Sequence, residues 1–242
     1  MKIWGKLIGA GIGFLLGKWF GALLGAYLGH RLFDRRRGPN PFFHTTFAVM
    51  GHMAKSTGRV TEQDIALASR LMDQIGLRGA ARKAAQQAYR DGKSTDYPLS
   101  QRLRQLNAGL RFRRDLARMF VEIQLQAALA DGVLDPRERA LLSTICAELG
   151  FSEAELDRLI AMLKGERHGR SQGMTRGDAC QILGVNETDD LATIKRAYRK
   201  LMAQHHPDKL ASQGLPPEMA SVAQQKSQDI QSAWERLRAE RS

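Results

Sequence analysis

The sequence predicts an all-α protein with three parts: an N-terminal transmembrane helix, a central helical domain and a C-terminal helical domain. Three observations indicate this class. Leu7 to Gly29 carry a single charge, Lys18, in an otherwise apolar or small-residue segment. From Phe42 to about Gly165 the apolar positions recur with a helical period and without convincing strand alternation. Residues 191–205 then read as an amphipathic helix that ends before a proline.

The apolar segment predicts a single transmembrane helix over residues 7–30. A helix of this length rises about 34 Å, which is enough to cross a bilayer. The segment is too long for a cleaved signal peptide and has no small-residue cleavage site before the arginines that follow it. Arg31 and Arg35–Arg37 follow the helix, against Lys2 and Lys6 before it. The positive-inside bias therefore predicts that the C-terminal bulk of the chain is cytoplasmic.

The glycine spacing in this segment predicts contact with a second helix. Glycine recurs at every fourth position from Gly5 to Gly29, which leaves a flat groove for close helix packing. Each glycine costs up to about 1 kcal/mol of helix propensity and gains nothing from lipid. We therefore expect a homodimer whose contact residues are Gly9, Gly13, Gly17, Gly21 and Gly25. Low-complexity drift in a simple anchor is the alternative, and the orientation of Lys18 stays open.

Two basic clusters account for part of the net charge of +12, which points to an anionic surface as partner. The first lies in a basic juxtamembrane segment, residues 31–41, where Arg35–Arg37 predict contact with anionic lipid. The second cluster consists of Arg102, Arg104, Arg111, Arg113, Arg114 and Arg118. Nucleic-acid binding is a poor explanation for it because no base-stacking aromatic pattern accompanies the arginines. A solvated or lipid-facing helix surface is favoured.

The central domain, residues 42–165, contains an internal repeat at an offset of 74 residues. Residues 58–69 align with residues 132–143. Each copy has a glycine in a turn, an N-cap residue (Thr61 or Asp135), an acid three residues later and a closing glycine. This paired-helix pattern resembles the TerB-like (tellurite-resistance-type) helical domain, a resemblance that brings no known chemistry with it.

Metal binding is a possible but weak interpretation of the acids in the second repeat. Asp131, Asp135 and Glu138 lie close in sequence, but a hard-cation site needs more oxygen ligands in one loop. Helix capping is the favoured role. Cys146 and Cys180 have no partner at zinc-ligand spacing, so the sequence predicts neither a structural zinc nor a disulfide framework. We expect no metal and no cofactor.

Residues 166–174 are predicted to form a flexible polar linker to the C-terminal domain, residues 175–242. In that domain, residues 191–205 place four cations on one sector of a helical wheel and the apolar residues on the other. The cations are Lys195, Arg196, Arg199 and Lys200. For the helix alone, an ordinary solvated face is the alternative.

The tripeptide His206-Pro207-Asp208 follows this helix directly. Pro207 fixes its own φ, has no N–H and pushes His206 out of the α region. The helix should therefore end near Gln204–His205, which leaves His206 and Asp208 on a solvent-facing loop. These residue types suit docking better than catalysis, and alone the tripeptide is a weak signal.

Together with the sequence around it, the tripeptide becomes a strong signal for a known family. Residues 178–185, residues 194–201 and then His206 to Lys209 together resemble the J-domain of DnaJ-type co-chaperones. The resemblance implies a three-helix J-domain whose third helix runs from about Pro217 to Arg238. The residues expected to face the second helix are Ala223, Ile230, Ala233, Trp234 and Leu237. His205 departs from the family, which more often has Tyr there.

The J-domain resemblance also implies a partner. In that family the tripeptide and the basic helix face stimulate ATP hydrolysis by a DnaK-type chaperone. Here the binding residues would be Lys195, Arg196, Arg199, Lys200, His206, Pro207, Asp208 and Lys209. We expect no Gly/Phe-rich segment and no cysteine-rich zinc module after the third helix.

The order of the three parts resembles the membrane-anchored DnaJ-like co-chaperones of Gram-negative bacteria. This implies a regulatory co-chaperone at the cytoplasmic face of the inner membrane, with residues 1–6 in the periplasm and membrane-proximal or envelope-signalling clients. The TerB-like domain would contact a client or regulator whose identity stays open. We expect no catalytic residue and no enzyme, since the six histidines show no nucleophile or metal constellation. A membrane-anchored scaffold or nucleic-acid tether with a degenerate J-like segment is the alternative.

Overall fold

A computed structural model describes residues 41–58, 60–130 and 132–240. Over these ranges the chain consists of α-helices, one 3-10 turn and connecting turns, without a strand, which confirms the all-α prediction for this part. The predicted transmembrane helix, its glycine contacts and Arg35–Arg37 lie outside the described residues. Among the helices that are described, none combines the length and the apolar character needed to cross a bilayer.

The central domain contains seven of the described helices. They are α1 (Pro41–Ser56), α2 (Glu62–Gln74), α3 (Gly79–Gly92), α4 (Leu99–Gly109), α5 (Arg114–Ala128), α6 (Pro136–Glu148) and α7 (Glu153–Gln172). The C-terminal domain follows with α8 (Arg176–Leu183), α9 (Leu191–His205), α10 (Pro207–Ser212), a 3-10 turn (Pro217–Met219) and α11 (Ala220–Ala239).

Helix α1 lies at the centre of the first domain and touches α3 through its backbone. Phe47 at the middle of α1 is fully buried. A Cβ atom at Gly51 of α1 would overlap the carbonyl group of Tyr89, and one at Gly92 of α3 would overlap the carbonyl group of Ala48. The two glycines therefore permit a close approach that no other residue type allows.

The internal repeat appears as two matched helices. Both α2 and α6 have 13 residues, and both begin with a capping box, made by Thr61 with Asp64 and by Asp135 with Glu138. The side chain of Asp135 accepts from the backbone N–H of Arg137 at 2.7 Å. The two acids of the second repeat therefore cap a helix. Asp131, the third acid of the weak metal hypothesis, lies outside the described residues.

The predicted flexible linker is wrong for residues 166–172. Helix α7 continues without a break to Gln172, and α8 begins only four residues later, at Arg176. Glu166 is buried in this stretch, and a Cβ atom at Gly165 would press against the backbone of Asp178. Composition suggested flexibility, but packing of α7 against α8 and the C-terminal domain keeps the segment helical.

The C-terminal domain has the three-helix arrangement that the sequence predicts. Its own core is formed by α8, α9 and α11 around residues such as Ile182, Ile194 and Ile230. Tyr198 of α9 stacks on Trp234 of α11 with ring centroids 5.3 Å apart. Ala223, expected to face the second helix, packs with the core of the central domain instead.

Candidate functional site

The basic face of α9 is exposed along its length. Asp190 caps the helix by accepting from the backbone N–H of Thr193 at 2.8 Å, and Ile194 anchors the opposite face in the core. Lys195, Arg196, Arg199 and Lys200 are all exposed to solvent. The structure therefore separates the cations from the apolar residues as the helical wheel predicts.

The His206-Pro207-Asp208 segment caps a helix. Helix α9 ends at His205 as predicted, but His206 has extended backbone and is the N-cap of the short helix α10. The backbone N–H of Asp208 donates to Nδ1 of His206 at 3.2 Å. The prediction of a loop after His206 is therefore wrong, because a short helix begins at Pro207. Proline is tolerated at the first helical position, where its missing N–H does no harm. The side chains of His206 and Asp208 are 53% and 94% exposed.

Lys209, the last residue of the predicted site, contacts the central domain. Its Nζ lies 2.7 Å from the carboxylate of Asp115 in α5, and Gln213 donates to the same carboxylate at 3.3 Å. Lys209 therefore ties α10 to the central domain and stands apart from the exposed cations of α9. The sequence prediction grouped these residues together, and the structure does not.

A buried charge network joins the two domains directly behind His206. Nε2 of His205 lies 3.0 Å from the carboxylate of Glu122 in α5, and its Nδ1 lies 3.0 Å from the carbonyl oxygen of Leu201. Both ring nitrogens of His205 therefore lie within hydrogen-bonding distance of an oxygen atom. Lys226 of α11 donates to Glu166 at 3.1 Å and lies 3.6 Å from Glu122.

The electrostatics of the network favour its ionised form at Glu122. Burial alone would raise the pKa of Glu122, but Lys226 and His205 lower it to about 2. Burial would likewise lower the pKa of Lys226, and the carboxylates of Glu122 and Glu166 reverse this effect and raise it. Glu166 shares the ammonium group of Lys226 with Glu122. At Glu166 the effect of burial is larger than the effect of Lys226, so its pKa is raised. Arg170 adds an ion pair with Asp229 at the edge of the network.

Apolar contacts surround the charges. The segment from α10 to the start of α11 contributes buried side chains to the core of the central domain. These side chains are Leu210, Leu215, Met219 and Val222. The C-terminal domain thus completes the central core, and the tripeptide lies where the two domains join.

Three family models match the chain in succession. Residues 1–54 match the transmembrane domain of the co-chaperone DjlA, residues 44–161 match the tellurite resistance protein TerB, and residues 178–242 match the DnaJ domain. The co-chaperone protein DjlA of Escherichia coli strain K12 is 48% identical, over all of this chain and 99% of that protein. The chain belongs to the DjlA co-chaperone family. DjlA proteins of Photorhabdus laumondii and Yersinia pestis are each 47% identical over the whole chain and 99% of their own length. No solved structure gives a significant match.

Apart from Lys209, which pairs with Asp115, this DjlA-family chain leaves its predicted binding residues open while the domains are joined. His206, Asp208 and the four cations of α9 face solvent although α10 and α11 pack on the central domain. Docking of the J-domain on the TerB domain therefore does not cover the surface.

The residues that sequence reasoning missed are the ones that join the domains. Glu122 and His205 are 83 positions apart, and nothing local links them. Two signals were nonetheless present. His205 departs from the Tyr that is more usual in J-domains, and Glu122 interrupts a helix whose neighbouring residues are apolar and buried.

Proposed function

We propose that this chain is a regulatory co-chaperone, not itself an enzyme, that stimulates ATP hydrolysis by a DnaK-type chaperone. The observation that carries the proposal is the exposed tripeptide at the start of α10, beside the exposed cations of α9. His206, Pro207 and Asp208 contact the chaperone, and Lys195, Arg196, Arg199 and Lys200 attract it. Cationic groups on an open helix face accelerate encounter with an acidic partner.

The proposal places this activity at the cytoplasmic face of the bacterial inner membrane. The match of residues 1–54 to a DjlA transmembrane domain supports an anchor, and the arginines at 31–37 support the orientation. Residues 1–6 are then periplasmic, and Arg35–Arg37 contact anionic lipid. The glycines at every fourth position, Gly9, Gly13, Gly17, Gly21 and Gly25 (the glycine stripe), form the contact of a homodimer. The TerB domain offers the remaining cytoplasmic surface to a membrane-proximal client.

The test is ATP hydrolysis by the purified DnaK-type chaperone with the full chain in lipid nanodiscs. We expect His206→Gln to abolish the stimulation without changing the helical content, because an exposed N-cap side chain contributes little to packing. Asp208→Asn should act in the same direction. Asp157→Asn, an exposed aspartate on α7, is the matched control and should stimulate fully.

Normal stimulation by folded His206→Gln would overturn the proposal. It would favour a membrane-anchored scaffold whose J-like segment is degenerate.

A further inference from the structure

A cleft of about 270 Å³ opens between α7 of the TerB domain and helices α8 and α9 of the J-domain. Its floor is apolar and comes from both domains, with Leu159 and Met162 on one side and Ile182 and Leu201 on the other. The cleft exists because α7 and α8 are held side by side, as the buried Gly165 shows. An isolated J-domain would lack this cleft.

The rim of the cleft is cationic. Arg118 of α5, Arg158 of α7 and Lys200 of α9 line it, and none of the three forms an ion pair within the described residues. Glu155 is the one acid that lines the described cleft, and it is already committed to Arg114 at 2.8 Å. Hydrogen bonds from Ser152 and Arg114 lower the pKa of Glu155 to about 2.

Arg118 is held in place by an aromatic ring. Its guanidinium lies 5.9 Å from the ring centre of Phe151, and that of Arg114 lies 4.8 Å from the same ring. Such contacts orient an arginine without neutralising it. The charge of Arg118 helps to lower the pKa of Glu122, but among the described residues no carboxylate lies within ion-pair distance of its guanidinium, so it can also attract an anionic group at the rim.

The cleft is continuous with the basic face of α9 through Lys200, which belongs to both surfaces. A chaperone bound along that face lies beside the cleft. An apolar floor with an unpaired cationic rim suits an extended segment that carries both carboxylates and apolar side chains, since each part then finds its complement.

We propose that the TerB domain takes part in chaperone recognition through Arg118 and Arg158, and that the cleft receives an acidic, apolar-containing segment of the DnaK-type chaperone. This inference rests on the proposed function. It makes the binding surface a property of the joined domains and not of the J-domain alone.

Binding of the purified chaperone to the full chain in nanodiscs tests the inference. Arg158→Glu should weaken affinity by about tenfold, and Arg118→Gln combined with Arg158→Gln should weaken it and flatten its dependence on salt. Arg78→Glu makes the same charge change at an exposed site of the TerB domain that does not line the cleft, and should have no effect. Arg158 is exposed, so its variants should fold.

A photo-crosslinking residue at position 158 identifies the occupant. The crosslinked peptide of the chaperone should contain aspartate or glutamate together with apolar residues. Equal affinities for Arg158→Glu and Arg78→Glu, or a crosslink to a basic segment, would overturn the inference. The proposed function is tested by a different result: it would be overturned if His206→Gln still stimulated ATP hydrolysis by the chaperone.

Discussion

Nε2 of His205 lies 3.0 Å from the carboxylate of Glu122, and this buried contact fixes the residue before His206 to the TerB domain. Glu122 is also within 3.6 Å of Lys226, so one carboxylate contacts side chains from two J-domain helices. The site that is proposed to engage a chaperone is therefore positioned by a residue of the neighbouring domain.

Removal of the charge at Glu122 should destabilise the joined domains. We expect Glu122→Gln to cost on the order of 3 kcal/mol, because it leaves His205 and Lys226 buried with one carboxylate fewer. Thermal unfolding of the full chain, followed by circular dichroism, measures the change. Asp157→Asn, which removes an exposed carboxylate paired with Arg139 at 2.8 Å, should cost less than about 1 kcal/mol.

The pH dependence of this stabilisation follows from the pKa of Glu122. Because the folded-state pKa is lowered to about 2, the carboxylate contributes stability above its ordinary pKa, and that contribution is lost as pH falls towards 2. The difference in stability between the parent and Glu122→Gln should thus shrink as the pH falls from the ordinary carboxyl range towards 2. A difference that grew in acid would contradict the assignment.

Gly92 should tolerate no side chain. Gly92→Ala would drive a Cβ atom into the carbonyl group of Ala48, so we expect a loss of about 3 kcal/mol or more in the free energy of unfolding. Gly109→Ala is the matched control, since nothing lies within 4 Å of its Cβ position at the end of α4. That variant should be neutral or more stable by less than about 1 kcal/mol. Equal stabilities of the two variants would show that α1 and α3 are not in backbone contact.

These residues show which features a sequence can predict. Capping at Thr61 and Asp135 was predictable because a capping box is local, and the end of α9 was predictable because Pro207 fixes it. The helical conformation of residues 166–172 was not predictable from the sequence. Glu166 is held by Lys226, which lies 60 positions away. The glycine and arginine content of this segment indicates only its local preference for a flexible conformation, and the tertiary contacts override that preference.

The cations of α9 should act at long range. Arg199→Glu should weaken chaperone binding, most steeply at low ionic strength, because exposed charges are screened beyond a Debye length of about 8 Å near physiological salt. Affinity measured over a series of salt concentrations checks this. An affinity indifferent to both the charge reversal and the salt would make these residues an ordinary solvated face.

The glycine stripe should govern self-association and not insertion. Replacement of Gly13, Gly17 and Gly21 by Leu should keep the chain in the membrane, since Leu favours insertion by about 0.3 to 0.6 kcal/mol per residue. Close helix approach would be blocked at three successive turns. Crosslinking in native membranes, with a span of Leu only as control, should show loss of the dimer. An unchanged dimer yield would remove the basis for the proposed contact.

The central claim is that the joined domains are the working form of the co-chaperone, and a covalent lock tests it. The hydroxyl of Ser221 in α11 donates to the carbonyl oxygen of Gln74 in α2 at 3.3 Å. Cysteines at these two positions can be joined by a short thiol crosslinker, while Cys146 and Cys180 are buried. The measurement is chaperone ATP hydrolysis with the locked and the unlocked chain. We expect equal stimulation, because the lock leaves His206 and the basic face of α9 open. Loss of stimulation in the locked chain, and its return on release of the crosslink, would contradict the account and show that the J-domain must leave the TerB domain to act.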